Sequence, residues 1–414
     1  MKNKSEVVII GGGATGVGTA RDLAMRGVEV TLIEKGDLSH GTSGNMSGLL
    51  HSGGRYAVTD KQSAKECIKE NQVLRRIAPH CIEMTQGLFV QLDGDDDDYF
   101  QKKLDSCREC NIPTEVLSGE QARELEPQLN EKVQRAIKVP DGALYPFRIV
   151  VATALSAENY GANIQTNTEV VDIHTQTGQT TGVEIKSAGS KNNSESKTIR
   201  ANHVVNAAGA WSHKIGAMVG VDINITLGKG AMAITDGRPI DTAINRCRPR
   251  ASGDAIVPYN DNLILGTTDE EVNSPSEYPK YEREIEFLIE ETSEMAPVIS
   301  DEEIIRSYWG VRPLYTPPES EGQETEKLTR AHALIDHAVR DDISGLTTIV
   351  GGKLTTYRKM AEEVSDHVCD TLGMDAECKT AEEKLPGISD QSKVTEAMKQ
   401  FNLVQQSLIG SNPT

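Results

Sequence analysis

The stretch VVIIGGGATGVGTARDLAMRGVEVTLIEKG, residues 7–36, restricts this chain more than any other. VVII, at 7–10, has the length and β-branched character of a buried strand. It runs into glycines at 11, 13 and 16, the spacing GxGxxG, and TGVGTARDLAMRG continues as an amphipathic helix ending at Gly27. VEVTLIE, residues 28–34, is a second strand closed by an acid. Each glycine has a physical task. Gly11 permits a tight turn, Gly13 lets the backbone approach a pyrophosphate, and Gly16 lets helix and strand pack closely. The anion sits on the helix N-terminus, where unpaired N–H groups favour negative charge. Glu34 is placed to accept hydrogen bonds from a ribose diol. The unit predicts a dinucleotide-binding α/β fold; a glycine-rich turn in an unrelated α/β protein is the alternative.

A chain of 414 residues is long enough for two domains. The net charge of -19 argues against nucleic acid and against adsorption to anionic lipid, both of which select basic faces. The acidic run GDDDDY at 94–99 suits either a salt-rich cytoplasm or an ordinary solvated surface. No apolar run approaches the roughly 18 residues of a membrane-spanning helix. The N-terminus does not read as a secretory signal, so a cytoplasmic location is expected. Cys107 and Cys110 form a CxxC with no second pair nearby, so helix-face thiols are expected and no metal site.

After Glu34 the chain does not continue with regular βα repeats. KGDLSHGTSGNMSGLLHSGGRYAV is a long polar, glycine-rich stretch, and a loop of that length in a compact domain is usually functional. VVNAAGAWS (204–212) is a strand entering a small-residue turn. TTIVGGKLTTYRKMAEEVSDHV (347–368) is a strand, a glycine pair and a helix. Together these predict a nucleotide-binding domain assembled from separated segments. The N-terminus of the last helix is expected to point at a redox ring, where its dipole favours negative charge. The segment 177–200 is a hairpin with a polar, mobile tip. Residues 231–268 alternate as short strands around the turns DGRP, ASGD and YNDN, and 280–297 is a helix.

The ordered set IIGGGATGVGTARDLAMRG, SGLLHSGGRYA, VNAAGAW, LGTTD, GVRPLY and VGGKLTTYR resembles FAD-dependent glycerol-3-phosphate dehydrogenases over about residues 5 to 385. KECIKENQVLRRIAPHC, KVPDGALYPFR and INRCRPR are most similar to the catalytic A subunit of the anaerobic type. The resemblance implies an α/β (overall α+β) fold of the D-amino-acid oxidase and glycine oxidase group. In it a discontinuous Rossmann-like FAD-binding domain would comprise 1–75, 145–230 and 328–385. An antiparallel-sheet cap over the substrate would comprise 76–144 and 231–327. The family's A subunit usually carries a further C-terminal iron–sulfur domain. Here the tail 386–414 has no cysteine, so either that domain is absent or the chain is truncated, which leaves open how electrons depart.

The resemblance further implies FAD as cofactor, held by Gly11, Gly13, Ala14, Thr15, Gly16, Glu34, Lys35, Ser43, Ser47, Ala208, Gly209, Gly351, Gly352, Leu354 and Thr355. The implied reaction converts sn-glycerol 3-phosphate to dihydroxyacetone phosphate, with hydride passing from C2 to flavin N5. Electrons would reach a quinone indirectly, through membrane-anchoring and iron–sulfur partner subunits, with the chain peripheral on the cytoplasmic face of the membrane.

Such a reaction needs a base, a hydride acceptor and cations for a phosphate dianion. His51 is the candidate base, since an imidazole accepts a hydroxyl proton at neutral pH; the alternative is a loop-bonding or FAD-contacting histidine. Arg55 and Arg312 offer guanidinium forks for phosphate, or else form ordinary ion pairs. Arg312 precedes Pro313 and is expected on extended backbone or a turn. Lys353 is read as opening a helix, where a cation is locally unfavourable, and such conflicts concentrate at functional sites. Thr267 and Thr268 are candidates for lining the cap side. Arg246, Arg248 and Arg250 are expected to make interdomain ion pairs more than to bind phosphate. Two other readings stay open. One is an oxidase of the same fold acting on an amine or delivering electrons to oxygen. The other is a dinucleotide-binding structural protein without chemistry.

Overall fold

The computed structural model describes residues 4–189, 196–317, 320, 322–325 and 328–401. The expected mobile tip falls on 190–195, and residues 402–414 end the tail; both lie outside the described residues.

The opening unit forms where the sequence places it: β1 (Val7–Ile10), α1 (Ala14–Met25) and β2 (Val30–Ile33), with Gly27 at φ +87° after the helix. All four residues of β1 are buried, so the strand must be covered on both faces. Alternation assigns the two layers. Val7 and Ile9 pack with Val17 and Leu23 of α1 and with helices Pro146–Asn159 and Tyr357–Leu372. Val8 and Ile10 pack with Val170, Val183 and Ile199 of a three-stranded antiparallel sheet, Thr168–Gln176, Gln179–Ser187 and Lys197–Arg200. Strand β1 is thus central in a six-stranded sheet. Its order is His332–Asp336, Leu346–Gly351, His203–Asn206, β1, β2, Asn163–Gln165, parallel except at the His332–Asp336 edge. The sequence-distant segments at 204 and 347 therefore join the opening unit in one sheet.

A nine-stranded, mainly antiparallel sheet lies over this layer. Its spine is the pairing of Ile225–Thr235 with Ile304–Tyr315, in register Gly228↔Arg312. Arg312 is accordingly on extended backbone, as its proline neighbour predicts. Helix Glu282–Met295 packs Ile285, Leu288 and Met295 on the outside of this sheet. The expected boundary at 231 falls inside the continuous strand Ile225–Thr235.

The run GDDDDY does more than solvate a surface. Asp96 caps helix Asp97–Glu109 by accepting from the Asp98 amide at 2.9 Å. Asp95 pairs with Arg246, and Asp97 with Arg135. Cys107 and Cys110 are buried thiols in an apolar cluster with Cys67 and Cys247, and burial pushes the Cys107 thiol up to about 12.

Candidate functional site

A cleft of about 460 Å³ runs from the N-terminus of α1 to the inner face of the larger sheet. One end is a glycine cradle. A Cβ on Gly11, whose φ is +114°, would lie 2.5 Å from the Ala207 carbonyl oxygen. A Cβ on Gly16 would overlap the Gly11 carbonyl, so this glycine is required for helix–strand packing, and it does not itself line the cleft. Gly13, Ala14 and Thr15 present the helix N-terminus to the cleft. The Ser43 hydroxyl accepts from the Ala14 amide at 3.0 Å, which puts a hydroxyl where an anion would sit. The Glu34 carboxylate accepts from the Gly12 and Gly36 amides at 2.6 and 2.7 Å. Two amides leave further lone pairs for a ribose diol. Lys35 reaches over the Trp211 ring, 4.1 Å from its centroid, and both line this end. Ser47, Ala208 and Gly209 complete the expected lining.

The other cradle is the turn Gly351–Gly352, at φ +84° and +76°. A Cβ on Gly351 would lie 2.7 Å from the Ala331 carbonyl, and one on Gly352 would overlap the Met360 sulfur. Both glycines, with Leu354 and Thr355, line the cleft. The residues present fit a dinucleotide with a flat ring at this end: bare backbone at both ends, a helix N-terminus, and an acid at the ribose position. One expectation needs correcting. Lys353 does not open a helix. Its backbone is extended, Leu354–Thr356 is a short 3-10 turn, and the α-helix begins at Tyr357. The argument from dipole conflict therefore does not apply, although the side chain is in the cleft.

Beside this second cradle the lining turns cationic, with Arg55, Arg250, Arg312, Arg330 and Lys353. Two carboxylates fix three of these. Asp269 holds Arg312 Nη2 at 3.0 Å and Arg330 Nη2 at 2.9 Å, and Asp254 holds Arg55 Nη2 at 2.6 Å. Lys353 Nζ donates to the Arg330 carbonyl at 2.8 Å and stands 5.0 Å from the Tyr56 ring centroid. Burial, and then a neighbouring guanidinium, lowers the pKa of Arg250 and Arg330; for Arg312, Asp269 opposes burial and Arg250 adds to it. An arginine does not shed its proton, so crowded, partly buried cations of this kind favour an anionic ligand.

His51 lies at the same end, its ring edge-on to Tyr56 with centroids 5.3 Å apart. Burial first, then Arg55 and Lys353, push its pKa down to about 3, so the imidazole is neutral at pH 7 and, with no anion beside those cations, a weak base. Its main-chain amide donates to Thr355 Oγ1 at 3.1 Å.

The structure thus brings His51, Arg55, Arg312 and Lys353 to one end of one cleft. Arg330, Tyr56 and Asp269 were not singled out from the sequence. Tyr56 follows Arg55 in a stretch already of interest. Arg330 reaches the site because His332 pairs with Gly351 across two strands, which no local pattern reports. The basic triplet divides. Arg246 pairs with Asp95 and Glu294 and Arg248 with Glu291, all partners within the larger sheet and its helix, so these pairs are not interdomain. Arg250 lines the cleft instead, against expectation. Thr267 lines the cleft, whereas Thr268 donates to Glu284 at 2.8 Å and accepts from the Ala231 amide, a structural placement.

Comparison with known proteins gives three kinds of match. The family model for FAD dependent oxidoreductases matches residues 6–358. The A1 subunit of the anaerobic glycerol-3-phosphate dehydrogenase of Haloferax volcanii is 55% identical over 409 residues, covering 97% of this chain and 70% of that protein. The A subunit of the Escherichia coli enzyme is 41% identical over 393 residues, covering 94% of this chain and 72% of that protein. Among solved structures, glycine oxidase from Geobacillus kaustophilus aligns with a TM-score of 0.73 at 21% identity, covering 93% of this chain and 99% of that one. The glycerol-3-phosphate dehydrogenase from Bacillus halodurans, complexed with FAD, aligns with 0.72 at 23%, covering 99% and 76%. These two structures support the fold.

Proposed function

The chain belongs to the FAD dependent oxidoreductases, among the A subunits of anaerobic glycerol-3-phosphate dehydrogenases, and from that premise we propose which residues of its cleft carry the reaction. The protein is an FAD-dependent enzyme that oxidises sn-glycerol 3-phosphate to dihydroxyacetone phosphate. FAD, when bound, supplies the acceptor for the hydride leaving C2. Gly11, Gly13, Ala14, Thr15 and Ser43 hold its phosphates and Glu34 its ribose, while the turn Gly351–Gly352 admits the ring. Arg55, Arg250, Arg312, Arg330 and Lys353 hold the substrate's phosphate dianion. His51 takes the proton of the C2 hydroxyl. The bound dianion offsets the positive field of Arg55 and Lys353, and so raises the basicity of His51 when it is needed. Segments 1–75, 145–230 and 328–385 form the FAD-binding part, and 76–144 with 231–327 the covering part, except that the strand Ile225–Thr235 belongs whole to the covering sheet.

The observation that carries this reading is a neutral imidazole beside five cations at the ring end of a dinucleotide cradle. An amine or amino-acid substrate needs no such cluster. Anaerobic mixing of the yellow protein with glycerol 3-phosphate should bleach the flavin, and glycerol should not. Bleaching by amino acids, or none by glycerol 3-phosphate, would refute the assignment.

Electrons then leave through iron–sulfur and membrane-anchoring partner subunits to a quinone, with this chain peripheral on the cytoplasmic face. Two facts support that arrangement: the relatives are named as one subunit of a larger enzyme, and among the described residues no helix is long and apolar enough to cross a membrane. Co-purification of membrane subunits with the tagged chain tests it.

A further inference from the structure

Asp141 and Lys103 do not line the cleft, yet both are ionisable and only 2% exposed. Proteins bury charges where these are paired or hydrogen-bonded, because desolvation otherwise dominates. Both side chains meet the same short segment, His51–Arg55. Asp141 Oδ1 accepts from the Ser52 amide at 2.5 Å. Lys103 Nζ donates to the Gly54 carbonyl at 3.3 Å and lies 4.3 Å from the Phe89 ring centroid. Space is made for each contact. A Cβ on Gly87 would lie 2.7 Å from Asp141 Oδ2, and one on Gly54 would lie 2.6 Å from Phe89. The segment has few side-chain atoms of its own to pack, since it contains two successive glycines, the first at φ +98° and lodged against the Ala64 carbonyl. Its main-chain atoms are gripped from behind instead.

We propose that Asp141 and Lys103 are positioning residues for glycerol 3-phosphate oxidation: the carboxylate holds the amide after His51 and so aims the imidazole, and the ammonium holds the carbonyl before Arg55 and so aims the guanidinium. An apolar pair of similar volume would fill the same space beside Phe89 and Cys107 without desolvating two charges. The inference rests on the roles given above to His51 and Arg55.

The test uses the full, FAD-loaded chain and its variants Asp141→Ala, Asp141→Asn and Lys103→Met. Anaerobic flavin bleaching is followed against glycerol 3-phosphate concentration, with flavin content and Tm measured alongside. Asp141→Ala should lower the limiting rate about tenfold or more, and Lys103→Met should raise the half-saturating concentration about tenfold, since small misplacements at a reacting centre are costly. Asp141→Asn keeps an acceptor for the Ser52 amide and should recover most of the rate. Folded, flavin-loaded variants with both kinetic parameters unchanged would overturn the proposal. So would equal rate losses in Asp141→Asn and Asp141→Ala that track lost flavin and Tm. If Asp141→Ala fails to load flavin, Asp141→Asn and Lys103→Met decide: an unchanged half-saturation in the latter refutes it. His51→Asn in the same series separates the two levels. Wild-type bleaching in that variant removes the underlying assignment. Slow bleaching there with unaffected Asp141 and Lys103 variants removes only this inference.

Discussion

The main-chain amide of His51 donates to the hydroxyl of Thr355 at 3.1 Å, fixing against each other two turns that lie 304 residues apart in the chain. One turn carries the candidate base and the other follows the glycine pair at the ring end of the cleft. Thr355 is 1% exposed, so replacing it by valine keeps the volume and leaves the amide without its acceptor. An amide orphaned in this way costs about 1–3 kcal/mol. Thr355→Val should therefore lose stability of that order in denaturant unfolding while still binding FAD. Its flavin should also bleach more slowly with glycerol 3-phosphate. Wild-type stability would mean that another acceptor serves His51.

Arg330 gives a sharper test, because no sequence motif pointed to it. Its guanidinium shares Asp269 with Arg312, and its carbonyl receives Lys353. Hydrogen bonds between charged partners contribute about 1.5–3 kcal/mol, or roughly ten- to a hundredfold in binding. Arg330→Gln should raise the half-saturating glycerol 3-phosphate concentration by that factor and leave flavin content unchanged. Arg330→Lys should recover only part of it, since an ammonium lacks the planar fork. An unaltered half-saturation would place Arg330 outside the phosphate site.

The elements legible in the sequence are those fixed by neighbours along the chain. Strand β1, helix α1 and Glu34 follow from a strand, three glycines and an acid at set spacings, and the Gly351–Gly352 turn follows from its glycine pair. Arg312 on extended backbone follows from Pro313. What escaped depends on pairing between distant segments. Arg250 and Arg248 are two residues apart, yet one faces the cleft and the other meets Glu291 on a helix 43 residues on. Arg330 enters through the register of two strands, and Lys353 through a turn whose α-helix starts four residues beyond it, at Tyr357, and not at the lysine itself. The acid run at 94–99 hid its helix cap, because only the fold shows which aspartate precedes the first turn.

Close packing at the first cradle predicts a contrast between two glycines. A methyl group on Gly16 would overlap the Gly11 carbonyl, so Gly16→Ala must push α1 away from β1 and spoil the phosphate-facing N-terminus. The purified variant should be colourless or unfolded. Gly220, at φ +74°, has open space around its Cβ position. Gly220→Ala should cost only backbone strain, about 1 kcal/mol, and keep its flavin. Equal flavin content in the two variants would contradict the cradle.

His51 predicts an acid limb of stability. Its pKa is about 3 in the folded protein against an ordinary value of 6.5, from burial first and then from Arg55 and Lys353. Between those values the unfolded chain binds a proton that the folded chain refuses. Protons therefore favour unfolding, and stability falls as pH drops below about 6.5, with no contribution from this group well above it. His51→Asn removes the titrating group. The Tm of the substrate-free variant relative to the parent should thus rise as pH is lowered from about 7 to about 5. His203, pushed down to about 4 chiefly by burial, acts in the same direction but is present in both proteins and cancels. Saturating glycerol 3-phosphate should narrow the gap, because a dianion beside Arg55 and Lys353 favours the imidazolium. A Tm difference independent of pH would mean that His51 titrates as a solvated histidine, outside the cationic end of the cleft, and would remove the proposal that it accepts the hydroxyl proton.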